Sequence, residues 1–344
     1  MAINERPGVY TSYEVSSALA GSGNSSTVAV VAKAYTGTDG SCISISSLAH
    51  AVSLYGEKSN ITDLIRILLL NGASSIRAVA VANSSDENGY KTAFELLYDH
   101  NDISIIVCDC HNLPILSTMR DCIINAPENS KYRIGVAETF GSLSEITDIA
   151  ENLNCERMVL VGPIDSISIP GSAAAATAAQ IASSPDPAIP LNGAQLFGLS
   201  MLSHALTDQD INTLVRAGVT PLENVGSSAY IIRGITTRSK TGGSPDATWR
   251  EITTIRIVDD VISSVKNALR SRFSRTKNTM QTRGAIRTQV VIELENKVSR
   301  EIIDAYDNIT VTPNADDPTI CEVRFEFTVA HGLNQIHLSA HITV

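Results

Sequence analysis

Residues 60–82 read NITDLIRILLLNGASSIRAVAVA and combine a helical pattern with a strand pattern. The first half predicts a helix that is capped by Asn60 or Thr62 and stopped by Gly72. The second half, from Ser75, is a short apolar run typical of a buried strand. Similar runs recur between helical patterns, at TVAVVA (27–32), ISIIVCDC (103–110), YRIGVAE (132–138) and ERMVLVG (156–162). Alternating strands and helices predict an α/β domain with a mostly parallel sheet.

A proline-rich segment, SSPDPAIPLNG at residues 183–193, interrupts this alternation. It breaks regular structure, so we expect a domain boundary between residues 184 and 185. Beyond it, TDQDINTLVRAG (207–218) predicts a helix that begins at Thr207 or Asp208, and strand-like VTPLENV and SSAYIIRGITTR follow. Two more helices are predicted from apolar residues at helical spacing: Val258, Val261, Ile262, Val265, Leu269 and Phe273, then Ile286, Val290, Leu294, Val298 and Ile302. The C-terminal part is therefore expected to be α+β.

The composition is that of an acidic globular protein. The chain has 344 residues, of which 43% are hydrophobic, and a formal net charge of −10, which argues against non-specific binding to nucleic acid. Six cysteines show no regular spacing and no apolar leader is found at the start, so we expect reduced thiols in a protein made in the cytoplasm. The apolar run ITDLIRILLL is far shorter than the ~20 residues of a membrane-spanning helix.

Common catalytic motifs are absent from the sequence, including the phosphate-binding loop, the nucleophile elbow and the zinc-protease helix. One cluster has metal-like residues: Cys108-Asp109-Cys110-His111 ends a predicted strand, with Cys122 a helix away. We interpret its thiols as buried apolar groups. A ligand site is the alternative, because ligands bind at strand ends in α/β sheets.

Two acidic pairs and a group of histidines also have structural interpretations. Asp259 and Asp260 are expected at a helix N-terminus, where carboxylates interact favourably with the helix dipole. Asp316 and Asp317 are expected in a turn beside a proline. The histidines of the last segment are interpreted as polar strand residues, with a metal site or a pH switch as the alternative. They are His331, His337 and His341.

The chain ends with FEFTVAHGLNQIHLSAHITV (325–344), whose alternating apolar residues predict two strands joined by a turn at residues 331–334. The first strand carries Val323, Phe325, Phe327 and Val329. The second carries Ile336, Leu338, Ala340, Ile342 and Val344. No charged tail blocks pairing along this last strand. We therefore expect this last strand to pair with another strand, which the sequence alone does not identify.

Seven basic residues and no acidic one occur between residues 261 and 292, in a chain that is otherwise acidic. We call this set the basic belt: Lys266, Arg270, Arg272, Arg275, Lys277, Arg283 and Arg287. Cations at a helix C-terminus are one interpretation. The other is a docking surface for an acidic partner; nucleic acid is disfavoured because no aromatic residues are interleaved.

Five segments in order, followed by the final strand pair, resemble contractile-tail sheath proteins, the family of phage tail sheaths and R-type bacteriocins. The segments are PGVYTSYEV (7–15), NGAQLFGLSMLS (192–203), DQDINTLVRAGVTPLENV (208–225), IIRGITTRSK (231–240) and TWREITTIRIVDDVISSVKNAL (248–269). The resemblance covers the N-terminal segment and residues 185–344 most closely.

The resemblance implies four parts: an extended N-terminal arm and flexible joint (1–27), an α/β outer domain (28–184), a C-terminal α+β core domain (185–334) and a C-terminal strand arm (335–344). Both arms would add as strands to a small sheet of neighbouring subunits. The arm residues are Gly8, Val9, Tyr10, Tyr13, Val15, Ile336, Leu338, Ala340, Ile342 and Val344. The acceptor residues are Val323, Phe325, Phe327 and Val329.

The resemblance also implies a mechanical role without catalysis, cofactor or metal. Copies of the chain would form hexameric rings stacked in a helix around an inner tube, and contraction would drive the tube through a target cell envelope. Other expected partners are baseplate and tail terminator proteins, with no nucleic acid and no membrane insertion. The basic belt from Lys266 to Arg283 would face the tube. The protein would assemble in the cytoplasm of the producing bacterium and then form part of a released particle.

Two alternatives remain open at this point. One is an α/β small-molecule-binding protein or enzyme that uses the strand ends near Asp109 and His111 and forms a homodimer through its C-terminal strands. The other is a structural subunit of a different assembly, such as a shell or a tube.

Overall fold

The computed structural model describes residues 26–37, 40–84, 86–126, 132–164, 169–200 and 205–334. Its first elements are β1 (Thr27–Ala34), β2 (Cys42–Ile45), α1 (Leu48–Tyr55), α2 (Asn60–Leu70), β3 (Ile76–Ala82), α3 (Glu87–Glu95), β4 (Ile103–Cys108), α4 (Leu113–Ile124), β5 (Ile134–Glu138), α5 (Leu143–Leu153), β6 (Met158–Val161) and α6 (Ser172–Ser183). The rest are β7 (Gln195–Leu196), α7 (Asp208–Ala217), β8 (Val219–Thr220), β9 (Leu222–Val225), β10 (Ser228–Ile231), β11 (Lys240–Thr241), β12 (Ser244–Pro245), α8 (Ile252–Phe273), α9 (Met280–Ser299), β13 (Ile303–Pro313) and β14 (Cys321–Val329).

The main sheet of the described residues has seven strands in the order β2-β3-β1-β4-β5-β6-β8. Only β2 is antiparallel to its neighbour, and the other neighbouring strands pair in parallel. Residues 28–32 of the central strand β1 are fully buried, because helices cover both faces of the sheet. The predicted α/β class with a mostly parallel sheet is confirmed.

The helices form one layer on each face of this sheet. On one face, α1, α2 and α6 pack with Val28 and Val30 of β1. On the other, α3, α4, α5 and α7 pack with Ala29 and Val31. Helix α6, SAAAATAAQIAS, is almost entirely buried, and its small side chains let it lie close to the strands. The alternation of β1 between two cores explains why its sequence is apolar throughout.

Helix α7 and strand β8 follow the expected boundary at residues 184 and 185, yet both belong to the α/β layers. β8 pairs in parallel with β6 at the sheet edge, and Leu214 of α7 lies in the core of the second face. As predicted, α7 is capped by Thr207 and ends at Gly218, whose φ of 94° requires a glycine. The division of the chain at residue 185 stays a prediction.

The C-terminal part is α+β, as predicted. It holds a small antiparallel sheet in the order β7-β10-β9, the hairpin β11–β12, the helices α8 and α9, and the antiparallel pair β13–β14. Helix α8 takes part in two cores. Ile255 and Val258 pack with the sheet layers, whereas Val261 and Val265 pack with α9 and with the start of β13.

Several local predictions require correction. Helix α2 begins at Asn60, but its N-cap is Ser59. Helix α8 begins at Ile252, so Asp259 and Asp260 lie near its middle and not at its N-terminus. The apolar pattern already includes Ile252 and Ile255, upstream of the residues from which the helix was predicted.

The end of the chain also differs from the prediction. Helix α9 ends at Ser299, so Ile302 lies outside it, and strand β13 at Ile303–Pro313 was missed. Its sequence, IDAYDNITVTP, is too polar to stand out because most of its side chains are exposed. No turn occurs at residues 331–334. Within the described residues the partner of β14 is β13, and the segment after residue 334 lies outside them.

Candidate interaction site: an open two-stranded ribbon

β13 and β14 form an antiparallel pair that we call the ribbon. Its register runs from Ile303 opposite Val329 at the base to Pro313 opposite Cys321 at the tip. β13 has eleven residues and β14 has nine, so these are the longest strands of the described residues. Within the described ranges neither strand pairs with any other, so both long edges of the ribbon are unpaired.

One face of the ribbon fastens it to the body of the protein. Val323, Phe325, Phe327 and Val329 all lie on this face, half-buried against the cores around α8 and α9. The rings of Phe325 and Phe327 stack with centroids 6.2 Å apart. Residues between them on β14 point to solvent: Arg324, Glu326 and Thr328. The predicted acceptor residues therefore anchor the ribbon through side chains, and its backbone edges have no partner among the described residues.

An open ribbon of this length has a specific chemical capacity. Unpaired N–H and C=O groups along a strand edge are a template for another strand, and natural proteins block such edges with charge, proline or bulges. The register of the β13–β14 pair shifts at two points along β13 and is regular elsewhere. The ribbon can accept a further strand along an edge, which is strand addition.

The residues predicted to supply such strands cannot be placed. Residues 8–15, with Gly8, Val9, Tyr10, Tyr13 and Val15, lie outside the described residues. So do residues 336–344, with Ile336, Leu338, Ala340, Ile342 and Val344, and the histidines His337 and His341. The assignment of both arms stays a prediction.

The basic belt lies on the end of α8, the α8–α9 loop and the start of α9, and four of its members contact other parts of the chain. The Lys266 ammonium lies 5.3 Å from the centroid of the Tyr132 ring, a cation–π contact. Arg272 donates a hydrogen bond to Gln289, Arg283 donates to Asn278 Oδ1 at 3.0 Å, and Arg287 donates to the Ile309 carbonyl at 3.2 Å. These four are held by the fold.

The other three belt residues, Arg270, Arg275 and Lys277, are exposed and make no ion pair within the described ranges. Met280, which begins α9 beside them, is 85% exposed. This end of the helical pair therefore presents three cations and a large apolar side chain to solvent. It is suited to an acidic surface that also offers an apolar contact.

Asp259 and Asp260 have a role that the sequence did not reveal. Asp259 accepts two hydrogen bonds of 2.9 Å from the Arg157 guanidinium at the start of β6. Asp260 accepts one of 2.5 Å from Lys297 of α9. Burial raises the pKa of Asp259 despite the arginine. The pair joins α8 to the sheet on one side and to α9 on the other. If the start of the helix had been predicted at Ile252, both carboxylates would have been expected near the middle of the helix.

A cleft of about 440 Å³ lies at the carboxyl ends of β1, β3 and β4, where the alternative small-molecule site was expected. Its central carboxylate, Asp109, is fully engaged. Oδ2 accepts from the Lys33 N–H at 2.8 Å and from Asn60 Nδ2 at 3.0 Å, and Oδ1 accepts from the Tyr90 hydroxyl at 2.6 Å. His111 packs edge-on against Phe140, and burial lowers its pKa. These groups hold the strand ends together.

The thiols near the cleft are buried, as interpreted from the sequence. Cys108, Cys110 and Cys122 are each less than a tenth exposed, and burial raises the pKa of Cys110 to about 11. A protonated thiol at neutral pH is a poor nucleophile and a poor metal ligand. Within the described ranges, no group of three or more histidine, cysteine or acidic residues is arranged to hold a metal ion.

Glu138, at the end of β5, caps the buried helix α6. Oε1 accepts from the Gly171 N–H at 2.5 Å and Oε2 accepts from the Ala173 N–H at 2.8 Å. Burial raises the pKa of Glu138 to about 7, although these N–H groups oppose the shift. No local sequence pattern predicts this contact, because Glu138 and Gly171 are 33 residues apart.

No helix in the described ranges is both long and apolar enough to cross a membrane.

Two segments of the chain match models of known protein families. A family model described as phage tail sheath protein central domain matches residues 85–237, and one described as phage tail sheath C-terminal domain matches residues 244–343. The tail sheath protein of Bacillus phage SP01 is 33% identical over 135 residues, which cover 39% of this chain. The match spans 23% of the length of that phage protein.

Solved structures share the fold over nearly the whole chain. The helical sheath of the anti-feeding prophage in its contracted state superposes with a TM-score of 0.72 at 13% identity, covering 98% of this chain and 99% of that one. The sheath tail protein of Desulfitobacterium hafniense gives a TM-score of 0.69 at 11% identity, covering 94% and 100%. The one from Listeria innocua gives 0.68 at 11% identity, covering 91% and 96%.

The two family models lie in the expected order and between them take in strands β4, β5, β6 and β8 of the parallel sheet and the whole ribbon, and the solved sheath proteins share the fold of the chain. The chain belongs to the phage tail sheath family.

Proposed function

We propose that this chain is the subunit of a contractile tail sheath, which polymerises helically around an inner tube and contracts to drive the tube through a target envelope. The observation that carries the proposal is the ribbon, with both long edges unpaired in the described residues. An isolated two-stranded sheet is marginally stable, and further strands would complete it. The N-terminal arm around residues 8–15 and the C-terminal arm at residues 335–344 of other copies supply those strands.

The pairing is heterologous, because an arm of one copy meets the ribbon of another. Contacts of this kind propagate and, where they do not close into a ring, generate a helix. A ten-residue arm on one edge would form about six backbone hydrogen bonds, each contributing about 1 kcal/mol net. Burial of Ile336, Leu338 and Ile342 adds to this tie. It is strong enough to keep neighbours linked while their bodies move.

The energy for contraction comes from assembly, and no nucleotide is needed. The sheath forms in an extended state and shortens as neighbouring subunits bury more surface. Each additional ~400 Å² of apolar surface buried per subunit would release about 10 kcal/mol before entropic and desolvation costs. The solvent-facing helices of the parallel-sheet layers are the source of these contacts.

The inner tube is the proposed partner of the basic belt. Arg270, Arg275 and Lys277 are free to meet an acidic tube surface, whereas the other belt residues are engaged within the chain. Exposed ion pairs are weak, which suits a surface that must release the tube. Met280 adds an apolar contact.

The remaining partners are baseplate and tail terminator proteins at the two ends of the sheath. Chains with the same fold have been solved in the helical sheath and in the baseplate of the anti-feeding prophage. The subunit is proposed to assemble in the cytoplasm of the producing bacterium and to leave it as part of the particle.

The alternative of an α/β enzyme or small-molecule-binding homodimer is not favoured. The family matches are to sheath domains, and the carboxylate in the strand-end cleft is already bonded to three groups of the chain.

Negative-stain electron microscopy of the purified chain at high concentration tests the proposal. Full-length protein should form hollow helical cylinders, and protein lacking residues 335–344 should remain monomeric and folded. Cylinders formed equally well by the truncated chain would contradict the arm assignment. A uniform full-length dimer that does not polymerise when its tube protein is added would contradict the sheath role.

A further inference from the structure

The segment that leads out of the ribbon, residues 330–334, is held in place on the body of the protein. We call it the exit segment. Asn334 Oδ1 accepts a hydrogen bond of 2.6 Å from Asn192 Nδ2. Asn192 Oδ1 in turn accepts from the Gly234 N–H at 3.2 Å, so its amide group is fixed by the backbone of the small-sheet region. The last described residue is thus tied to a loop that is far away in sequence.

Two further contacts complete this anchor. Asn334 Nδ2 donates to Glu251 Oε1 at 3.5 Å, and Glu251 is paired with Arg233, whose Nε lies 3.0 Å from the same oxygen. A Cβ atom on Gly332 would lie 3.1 Å from Pro190 Cβ, so the backbone at Gly332 lies directly against the proline. The exit segment therefore contacts the start of α8 and the proline-rich loop together.

The anchor decides which ribbon the C-terminal arm can reach. A ten-residue arm spans about 33 Å when extended, which is enough to cover the nine-residue strand β14 of its own chain. Pairing of the whole arm with its own β14 would need the chain to reverse within residues 330–334. Residues 330–334 contain no turn, and the contacts of Asn334 and Gly332 hold them against the body.

We propose that Asn192, Asn334 and Glu251 form an anchor that directs the C-terminal arm away from its own ribbon and presents it to a second copy of this chain. This inference rests on the arm exchange proposed above. The anchor acts by preventing self-pairing, which would occupy the ribbon edge, and by reducing the conformational freedom that an arm loses when it binds. Asn192, Asn334 and Glu251 are positioning residues for assembly.

The test is the critical concentration for polymerisation of full-length variants, measured by sedimentation. Asn334→Ala removes both of its hydrogen bonds at an exposed position. Asn192→Asp keeps the acceptor for the Gly234 N–H but removes the donor to Asn334. Each should raise the critical concentration at least about five-fold, the factor that corresponds to loss of one net hydrogen bond. Asn83→Ala, at an exposed asparagine of the strand-end cleft, is the matched control and should behave as wild type.

Thermal unfolding followed by the single tryptophan, Trp249, should be unchanged in Asn334→Ala, which separates assembly from folding. The chain lacking residues 335–344 is measured in parallel. If this truncation fails to assemble while both asparagine variants polymerise like wild type, the anchor is refuted and arm exchange stands. If the truncation polymerises normally, arm exchange itself is refuted.

Discussion

The parallel sheet and the ribbon use strands in opposite ways. The sheet buries its strands under helices on both faces, and its edge strands β2 and β8 have only four and two residues. The ribbon has strands of eleven and nine residues, one face on the body, and two edges without a partner in the described part of the chain. Short edges limit pairing with other chains, and long open edges invite it. The sheet and its helices therefore hold most of the buried core of the single chain, and we propose that assembly depends on the ribbon.

The largest effect is expected where the sheet is joined to α8, the helix against which the ribbon packs. Arg157→Ala leaves the Asp259 carboxylate buried without its partner, so the free energy of unfolding should fall by about 3–5 kcal/mol. Urea unfolding monitored by circular dichroism measures this. Arg66→Ala, which breaks the exposed pair with Asp63, is the control and should change stability by less than about 1 kcal/mol. Equal losses in the two variants would show that the joint is not a buried ion pair.

The next comparison contrasts one apolar residue from each region. Leu64→Ala in α2 empties a fully buried site and should destabilise the monomer by about 2–5 kcal/mol. Phe327→Ala in the half-buried face of the ribbon should have a smaller effect on monomer unfolding but should abolish cylinders, because it loosens the strand that accepts the arm. If Phe327→Ala formed cylinders at the same concentration as wild type, the claim that the ribbon serves assembly and the sheet serves stability would be contradicted.

The pH dependence of stability should report on Glu138, which belongs to the sheet. Its pKa is about 7 in the folded chain, above its ordinary value of 4.5, so the folded state binds this proton more tightly than the unfolded state. Its contribution is most favourable below pH 4.5 and is lost as the pH rises to about 7. The loss amounts to about 3 kcal/mol.

Glu138→Gln should flatten this part of the profile, since glutamine does not titrate. Unfolding by urea at several pH values between 4.5 and 7.5 tests it. A variant whose stability falls with pH as steeply as wild type would show that other groups cause the slope.

The smallest effect per residue is expected in the basic belt. Replacing Arg270, Arg275 and Lys277 together by glutamate should slow assembly on the cognate tube and lower its dependence on salt, while spontaneous cylinders form as before. Lys91→Glu, at an exposed position on α3, is the control. Equal loss of spontaneous and tube-directed assembly would assign the belt to contacts between sheath subunits.

The sequence predicted the structure best where both faces of a strand are buried. Apolar runs such as Thr27–Ala34 and Met158–Val161 have to be strands under helices, and the alternation with helical patterns defined the α/β layers. It was least informative for β13. Most side chains of this strand are exposed to solvent and polar, so the strand lacks an apolar pattern.

Contacts between distant residues were also beyond the reach of local patterns. The ion pair of Arg157 with Asp259 and the cap that Glu138 provides for α6 depend on the sheet order, which no short segment encodes. The acceptor residues were identified from their alternation, but β13, the strand that pairs with theirs in the same chain, was not predicted.

The central claim is that the edges of the ribbon accept arms of other copies, and hydrogen exchange of its backbone amides tests it most directly. Amides of residues 303–313 and 321–329 should be protected at least about tenfold more strongly in polymerised full-length protein than in the dilute monomer. The sheet amides of β1 should be equally protected in both. Ribbon amides that exchange equally fast in the monomer and in the polymer would contradict the account.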